Sequence, residues 1–327
     1  MPVCFIHETI GEKEMKNNKQ SKQVKSKRIS KHLEQVNLFA AGIDIGSQSH
    51  YVSVPEDLST ESVREFSCFT GDLNRMADWL VEIGIQTVAM ESTGIYWIPV
   101  YEILEERGLV VLLVNSRHIK NVPGRKTDVL DCQWIQKLHT YGLLEGAFRP
   151  EEETVALRTY MRQRETLTQQ SSDQIRRMQK ALRQMNLLLD NVVSDIDGVT
   201  GMKIIRAILE GERESTVLAK LRDGRCKKDE KTISASLEGH YREEHLFSLK
   251  QSVELYDTYQ TKIIDCDEAI QSQLDKMDSK GDKKDLPPSK KVKSKNTPKF
   301  DVRGELYQMT GVDLTCIDGL NDTHFFK

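Results

Sequence analysis

The chain has 327 residues, of which 38% are hydrophobic and 30% charged, enough for two or three domains with buried cores. Its apolar runs are shorter than a bilayer requires, and its N-terminal segment lacks the pattern of a secretory signal, so we expect a cytoplasmic protein. The six cysteines are scattered without a Cys-x-x-Cys pair, which predicts free thiols rather than a disulfide framework or a zinc site.

The net charge of -3 is distributed unevenly along the chain. Residues 1–40 carry eight Lys or Arg against four Glu, and residues 279–299 carry eight Lys against two Asp, so the remainder is strongly acidic. Basic segments on an acidic body are consistent with nucleic-acid contact and equally with solvated linkers. We predict a basic disordered tail over residues 1–38 and a basic linker over residues 279–299.

Residues 39–150 alternate between strand and helix patterns, which predicts an α/β domain. An apolar segment from Leu38 to Gly46 and an alternating segment from His50 to Val54 predict a β-hairpin. A helix, a strand, a second helix and a third strand follow, and we expect the last strand to be covered on both faces because its apolar run is continuous. These four elements are predicted at Leu73–Ile83, Thr87–Met90, Ile95–Arg107 and Leu109–Val114.

Residues 151–278 contain two long apolar stripes at heptad spacing, each interrupted by polar residues. The stripes run from Leu157 to Val192 and from Leu246 to Met277, which predicts two helices, each on the order of 50 Å long, in an antiparallel coiled-coil arm. An ordinary helical core is the alternative. Short helices with glycine-marked turns are expected between them. Residues 300–327 are interpreted as the start of a further domain that the chain does not complete.

Four acidic residues lie where an α/β fold can bring them together. Asp44 lies at the end of the first predicted strand, and Glu91 directly follows the strand that ends at Met90. Asp128 and Asp131 are three residues apart in a segment with helical spacing, so both lie on one helix face. Carboxylate oxygens are preferred ligands of Mg²⁺, and such ions promote phosphodiester chemistry in nucleases of the ribonuclease-H-like type. Acids in a first helical turn also stabilise a helix, so spacing alone leaves both interpretations open.

A basic loop immediately precedes the Asp128/Asp131 pair. Its cations beside a carboxylate cluster are suited to binding a nucleic-acid backbone, although a solvated loop would have the same composition. The candidate nucleic-acid-binding residues are Arg117, Lys120, Arg125 and Lys126.

Several long segments resemble the insertion-sequence 110 family of DEDD transposases. The resemblance extends from about Leu38 to about Leu320, and the four acids of the family's motif fall on Asp44, Glu91, Asp128 and Asp131. It implies a RuvC-like first domain, a coiled-coil arm that supports a homodimer or tetramer, and Mg²⁺-dependent DNA strand exchange directed by a structured guide RNA. The segments are AGIDIGSQSHYVSV, VAMESTGIYWIPVYEIL, VNSRHIKNVPGRKTDVLDCQWIQKL and RCKKDEKTISASLEGHYREEHLFSL.

One feature departs from the family pattern. Family members continue beyond the segment GVDLTCIDGL into a domain that carries a nucleophilic serine, whereas this sequence diverges at Asn321-Asp322 and ends at Lys327. The resulting expectation is a C-terminally truncated copy that binds metal and nucleic acid without completing recombination.

Three other functions fit parts of the sequence. GIDIGSQS resembles the first phosphate-binding hairpin of sugar kinases and actin-like ATPases, but the predicted coiled coil occupies the position of their second domain. A non-catalytic coiled-coil module that binds nucleic acid and forms mixed dimers with intact transposase is the main alternative. A resolvase that acts on branched DNA is the third, but it assigns no role to the basic linker and the segment after it.

Overall fold

The computed structural model describes residues 34–92, 94–115, 128–287 and 296–317, apart from the side chains of residues 128–130. Contacts within the chain separate it into two compact units, Met1–Arg149 and Pro150–Lys327. We name them the sheet unit and the helical unit.

A mixed five-stranded sheet forms the centre of the sheet unit. Its strands are β1 (Ala40–Ile45), β2 (Ser49–Ser53), β3 (Val63–Ser67), β4 (Thr87–Glu91) and β5 (Val110–Val114). Their order is β3-β2-β1-β4-β5; the β1–β2 and β2–β3 pairs are antiparallel, whereas β1–β4 and β4–β5 are parallel. This mixed α/β arrangement is consistent with the ribonuclease-H-like core that the sequence predicts.

Helices pack on both faces of this sheet. They are α1 (Thr70–Glu82), α2 (Trp97–Glu106) and α3 (Asp128–Thr140). On one face, α1 and α2 share a core with β1, in which Ile43, Leu80 and Leu104 are fully buried. On the other face, Ile135 of α3 packs with Ala89 and the last residue of β5. Both faces of the central strands are therefore covered.

The predicted hairpin, the two helices that follow it and the strand ending at Glu91 are confirmed, with boundaries that differ by a few residues. β3 was not predicted, because it is a strand whose place depends on its pairing with β2 rather than on an apolar pattern. The expectation that β5 is covered on both faces is confirmed for the end of the strand, where Leu113 packs into the core of α1 and α2 and Val114 packs against α3. It is wrong for the first residue, Val110, which is 68% exposed at this edge of the sheet.

The described part of the helical unit is built from helices and short 3-10 turns. The helices are α4 (Glu152–Gln184), α5 (Val199–Leu209), α6 (Ser215–Ala219), α7 (Glu230–Ser236), α8 (Glu243–Leu274) and α9 (Val302–Thr310). None of the helices in the described part of the chain combines the length and apolar character that a membrane span requires. The five described cysteines are free thiols, as predicted.

The two long helices, α4 and α8, pack side by side. Arg164 Nε donates to Asp267 Oδ1 at 2.5 Å, and Gln260 Nε2 donates to Ser171 Oγ at 2.9 Å. Seven residues forward on α4 correspond to seven residues backward on α8, so the helices are antiparallel. The polar interruptions in the two apolar stripes therefore face each other. Whether the pair forms a projecting coiled-coil arm stays a prediction.

Each end of this helix pair has its own apolar cluster. At the end where α4 finishes, Met178 and Leu182 pack with Ile204 of α5 and Leu249 of α8. At the opposite end, Leu157 and Ile270 pack with Phe300 and Met309 from the C-terminal segment. The short helices α5 to α7, expected between the two long helices, contribute to the first of these clusters.

Candidate active site

Asp44 and Glu91 lie side by side on two neighbouring strands. In the parallel pairing of β1 with β4, Ile43 is the partner of Met90, so Asp44 and Glu91 follow as neighbours whose side chains point to the same face. Glu91 is 5% exposed and Asp44 is half-buried. The sheet therefore brings together two acids that are far apart in the sequence.

The face that carries these two acids is the one covered by α3. Gly42 lies two residues before Asp44 and hence on the same face. A Cβ atom on Gly42 would lie 2.2 Å from the backbone nitrogen of Gln136 and 2.5 Å from the carbonyl oxygen of Cys132. The backbone of α3 therefore crosses directly over β1, and only glycine leaves room for it.

The direction of α3 places its first turn next to the two strand-end acids. Near its C-terminal end, His139 Nε2 lies 2.9 Å from Thr87 Oγ1, at the start of β4. Near its N-terminal end, Cys132 lies close enough to Asp44 for that carboxylate to raise the pKa of its thiol. The helix thus runs opposite to β1 and β4, and the turn that contains Asp131 lies at the edge where these strands end.

The Cys132 thiol reports the accumulation of negative charge at this edge. Burial, with the carboxylates of Asp44 and Asp131 acting in the same direction, raises its pKa to about 12. A thiol with such a pKa stays protonated at neutral pH and is not a nucleophile. Cys132 therefore fills space between the helix and the sheet while two acids lie near it.

Some of the predicted site residues lie outside the part of the chain that the structure describes. Asp128 is the first residue of α3, but its side chain is outside the described residues. The same is true of the basic loop, whose candidate residues are Arg117, Lys120, Arg125 and Lys126. Among the described side chains, no group of three or more His, Cys, Asp or Glu is arranged as a metal-binding cluster. Asp44, Glu91 and Asp131 thus share one edge without forming such a cluster by themselves.

Sequence reasoning missed three residues that lie beside these acids or hold α3 against the sheet. Tyr51 of β2 is the register partner of Asp44, so its side chain lies on the same face. Gly42 allows α3 to approach, and the glycine two residues before a strand-end acid was an available signal for this contact. His139 is 5% exposed and burial lowers its pKa to about 4, so its neutral ring contacts Thr87.

The chemistry of the site follows from its donors. Carboxylate oxygens are hard ligands, and several of them at one half-buried edge favour a hard divalent cation over a soft metal. Strand-end acids beside a helix that carries another acid are consistent with a nuclease-like α/β domain.

Comparison with known proteins finds a family model that matches part of the chain. Residues 41–187 match the family model of the DEDD transposases of insertion sequence 110, which is described as a transposase. Residues 41–187 are therefore similar to the transposase domain of the family that the sequence resembles. The matched region begins in β1 and ends just after α4. No curated protein matches the chain.

Proposed function

We propose that this chain is a DNA recombinase whose active site consists of Asp44, Glu91, Asp128 and Asp131. One observation carries the proposal: the register of β1 with β4 sets Asp44 beside Glu91, on the sheet face that α3 covers. The resemblance to the family assigns its four motif acids to Asp44, Glu91, Asp128 and Asp131. The transposase domain over residues 41–187 supports DNA as the substrate.

The donor set fits Mg²⁺. Asp44, Glu91, Asp128 and Asp131 would bind the metal through carboxylate oxygens, the ligands that Mg²⁺ prefers. When bound, Mg²⁺ supplies Lewis-acid stabilisation of the charge that develops on the phosphodiester. The close contact of α3 with Gly42 holds Asp131 at the same edge as Asp44. Burial of Glu91 restricts its side chain, which orients this ligand before substrate binds.

The partners follow from the same proposal. Arg117, Lys120, Arg125 and Lys126 precede the acids in the sequence and would contact the phosphate backbone of DNA beside them. A structured guide RNA would direct the choice of DNA, as in the family that the chain resembles. The antiparallel pair of α4 and α8 is the element through which a homodimer or tetramer would form.

The test compares two Asp→Asn changes in the sheet unit. Asp44→Asn removes a proposed metal ligand. Asp78→Asn removes the same charge from α1, where the side chain is 64% exposed and pairs with Arg107 at 3.0 Å. Mg²⁺ binding is measured by calorimetry. Strand cleavage is measured on DNA that carries the ends of the element, with the guide RNA added. Circular dichroism confirms that both variants fold.

We expect Asp44→Asn to lose Mg²⁺ binding and to reduce cleavage by about 10³-fold, because a metal contributes several kcal/mol to stabilising the transition state. Asp78→Asn should behave as wild type. Equal cleavage by Asp44→Asn and wild type would overturn the proposal and favour a non-catalytic nucleic-acid-binding module.

A further inference from the structure

The last part of α4 has an unusual distribution of charge. From Gln174 to Gln184 the sequence contains four basic residues and no acidic residue. The basic residues are Arg176, Arg177, Lys180 and Arg183, and all four side chains are exposed. This segment differs from the first part of the same helix, which carries acidic residues in its first turn.

The four cations form one face of the helix. Residues three and four apart on a helix are neighbours, so Lys180 has Arg176 and Arg177 on one side and Arg183 on the other. The opposite stripe, which includes Met178 and Leu182, is buried against the helical core. We name the four residues the α4 basic face.

A shallow depression follows this face. Its volume is about 690 Å³, and Arg176, Lys180 and Arg183 line it together with the amide side chains of Gln179 and Gln184. Asp190 supplies the acidic part of the lining. Cationic and amide donors in one depression are the groups that contact phosphate oxygens in protein–nucleic acid complexes.

Local ion pairs leave this face available to a ligand. Arg176 pairs with Asp173, and Arg183 pairs with Asp190 at 2.7 Å. Both arginine side chains are more than half exposed, and exposed ion pairs exchange readily for other partners. Within the described residues, Lys180 has no acidic partner in an ion pair. The centre of the face is therefore an unmatched positive charge.

The helix dipole accounts for only part of this pattern. Cations interact favourably with a helix C-terminus within its last turn, which includes Arg183. Arg176 and Arg177 lie about two turns before the end, beyond that range. A further reason is required for the cations at the start of the face.

We propose that the α4 basic face binds the phosphodiester backbone of a nucleic acid without reading its sequence. The cations from Arg176 to Arg183 span about 10 Å along the helix. A nucleic-acid strand carries one phosphate per about 3.4 Å of helix axis, so the face matches about three phosphates. The inference rests on the proposed function only in taking nucleic acid as the partner, and it adds a second contact surface in the helical unit.

The experiment compares two charge-matched double variants of α4. Arg177→Gln/Lys180→Gln changes the basic face, and Arg158→Gln/Arg162→Gln removes two exposed cations from the first half of the same helix. Binding to a short duplex DNA of arbitrary sequence and to a structured RNA hairpin is measured by fluorescence anisotropy between about 50 and 200 mM salt. The full chain is used, and circular dichroism verifies folding.

We expect the basic-face variant to bind about tenfold more weakly at moderate salt, equally for unrelated sequences. Its plot of log affinity against log salt should be shallower by about 1.8, since each lost phosphate contact removes about 0.9 for duplex DNA. Arg158→Gln/Arg162→Gln should bind as wild type. The nucleic acid for which the basic-face variant loses affinity, DNA or RNA, identifies the source of the phosphates.

Two results would overturn the inference. If the slope of log affinity against log salt is the same for the two double variants, the loss of affinity reflects net charge and not this face. If wild type binds nucleic acid and the basic-face variant binds identically, the face has no role, while the proposed function stands. Conversely, loss of cleavage in Asp44→Asn without loss of binding separates the active site from this surface.

Discussion

The sheet unit and the helical unit differ in how they arrange acidic residues that are buried or half-buried. In the sheet unit, Asp44, Glu91 and Asp131 are collected from three distant segments at one edge, and two of them raise the pKa of the same thiol. In the helical unit, Asp267 is bonded to Arg164 and to the backbone of Lys299. A cation compensates the charge of Asp267 where it lies, whereas several acids brought to one edge create a negative site that suits a divalent cation.

The largest expected effect on stability concerns Asp267, which pairs with Arg164. Arg164 and Asp267 have side chains that are 11% and 5% exposed, and Arg164→Met would leave the carboxylate without its cation. We expect the free energy of unfolding to fall by about 3–5 kcal/mol in urea denaturation. The double variant Arg164→Met/Asp267→Leu should recover most of that loss, because the charge is removed with its partner. A double variant no more stable than the single one would contradict this account.

The second prediction concerns the contact of Gly42 with α3, which holds Asp131 at the same edge as Asp44. Gly42→Ala would force α3 away from β1, since the new Cβ meets helix backbone that cannot rotate aside. We expect a loss of about 3 kcal/mol in the free energy of unfolding and weaker Mg²⁺ binding. Gly71→Ala is the control, because a Cβ at that position meets no atom within 4 Å. Equal stability of the two variants would show that α3 does not depend on Gly42.

The third prediction concerns pH. Burial lowers the pKa of His139 to about 4, below its value of 6.5 in the unfolded chain, so the folded protein holds this ring neutral. The free energy of unfolding therefore has its full value above pH 6.5. It falls by up to about 3 kcal/mol as the pH decreases towards 4, because the unfolded chain binds a proton that the folded protein does not. His139→Gln removes the titration, so its unfolding free energy should fall less between pH 7 and 5. Burial also lowers the pKa of His50, so part of the dependence should persist.

The smallest expected effect belongs to the neutral polar pair between the long helices. Ser171→Ala removes the acceptor of the Gln260 amide and should cost about 1 kcal/mol. Gln169→Ala changes an exposed position on the same helix and should be close to neutral. Thermal unfolding of both variants measures the difference. A cost for Ser171→Ala as large as that for Arg164→Met would remove the distinction between charged and neutral pairs.

Much of the chain's local structure could be predicted from its sequence. Apolar periodicity identified the hairpin, α1, α2, β4 and the two long helices, because these elements bury a regular face. β3 escaped prediction because its backbone pairing with β2 holds it in place. The exposure of Val110 also depended on where β5 falls in the sheet, which an apolar run does not reveal.

The sequence by itself determined which residues could form an acidic site and that the chain resembles a transposase family. Only the tertiary structure decided that Asp44 and Glu91 are neighbours, because the register of β1 against β4 joins segments that share no local contact. It also decided that the polar interruptions of α4 and α8 face one another, since that pairing depends on how two helices align. Local patterns report what each segment buries, whereas register and helix approach follow from contacts between distant segments.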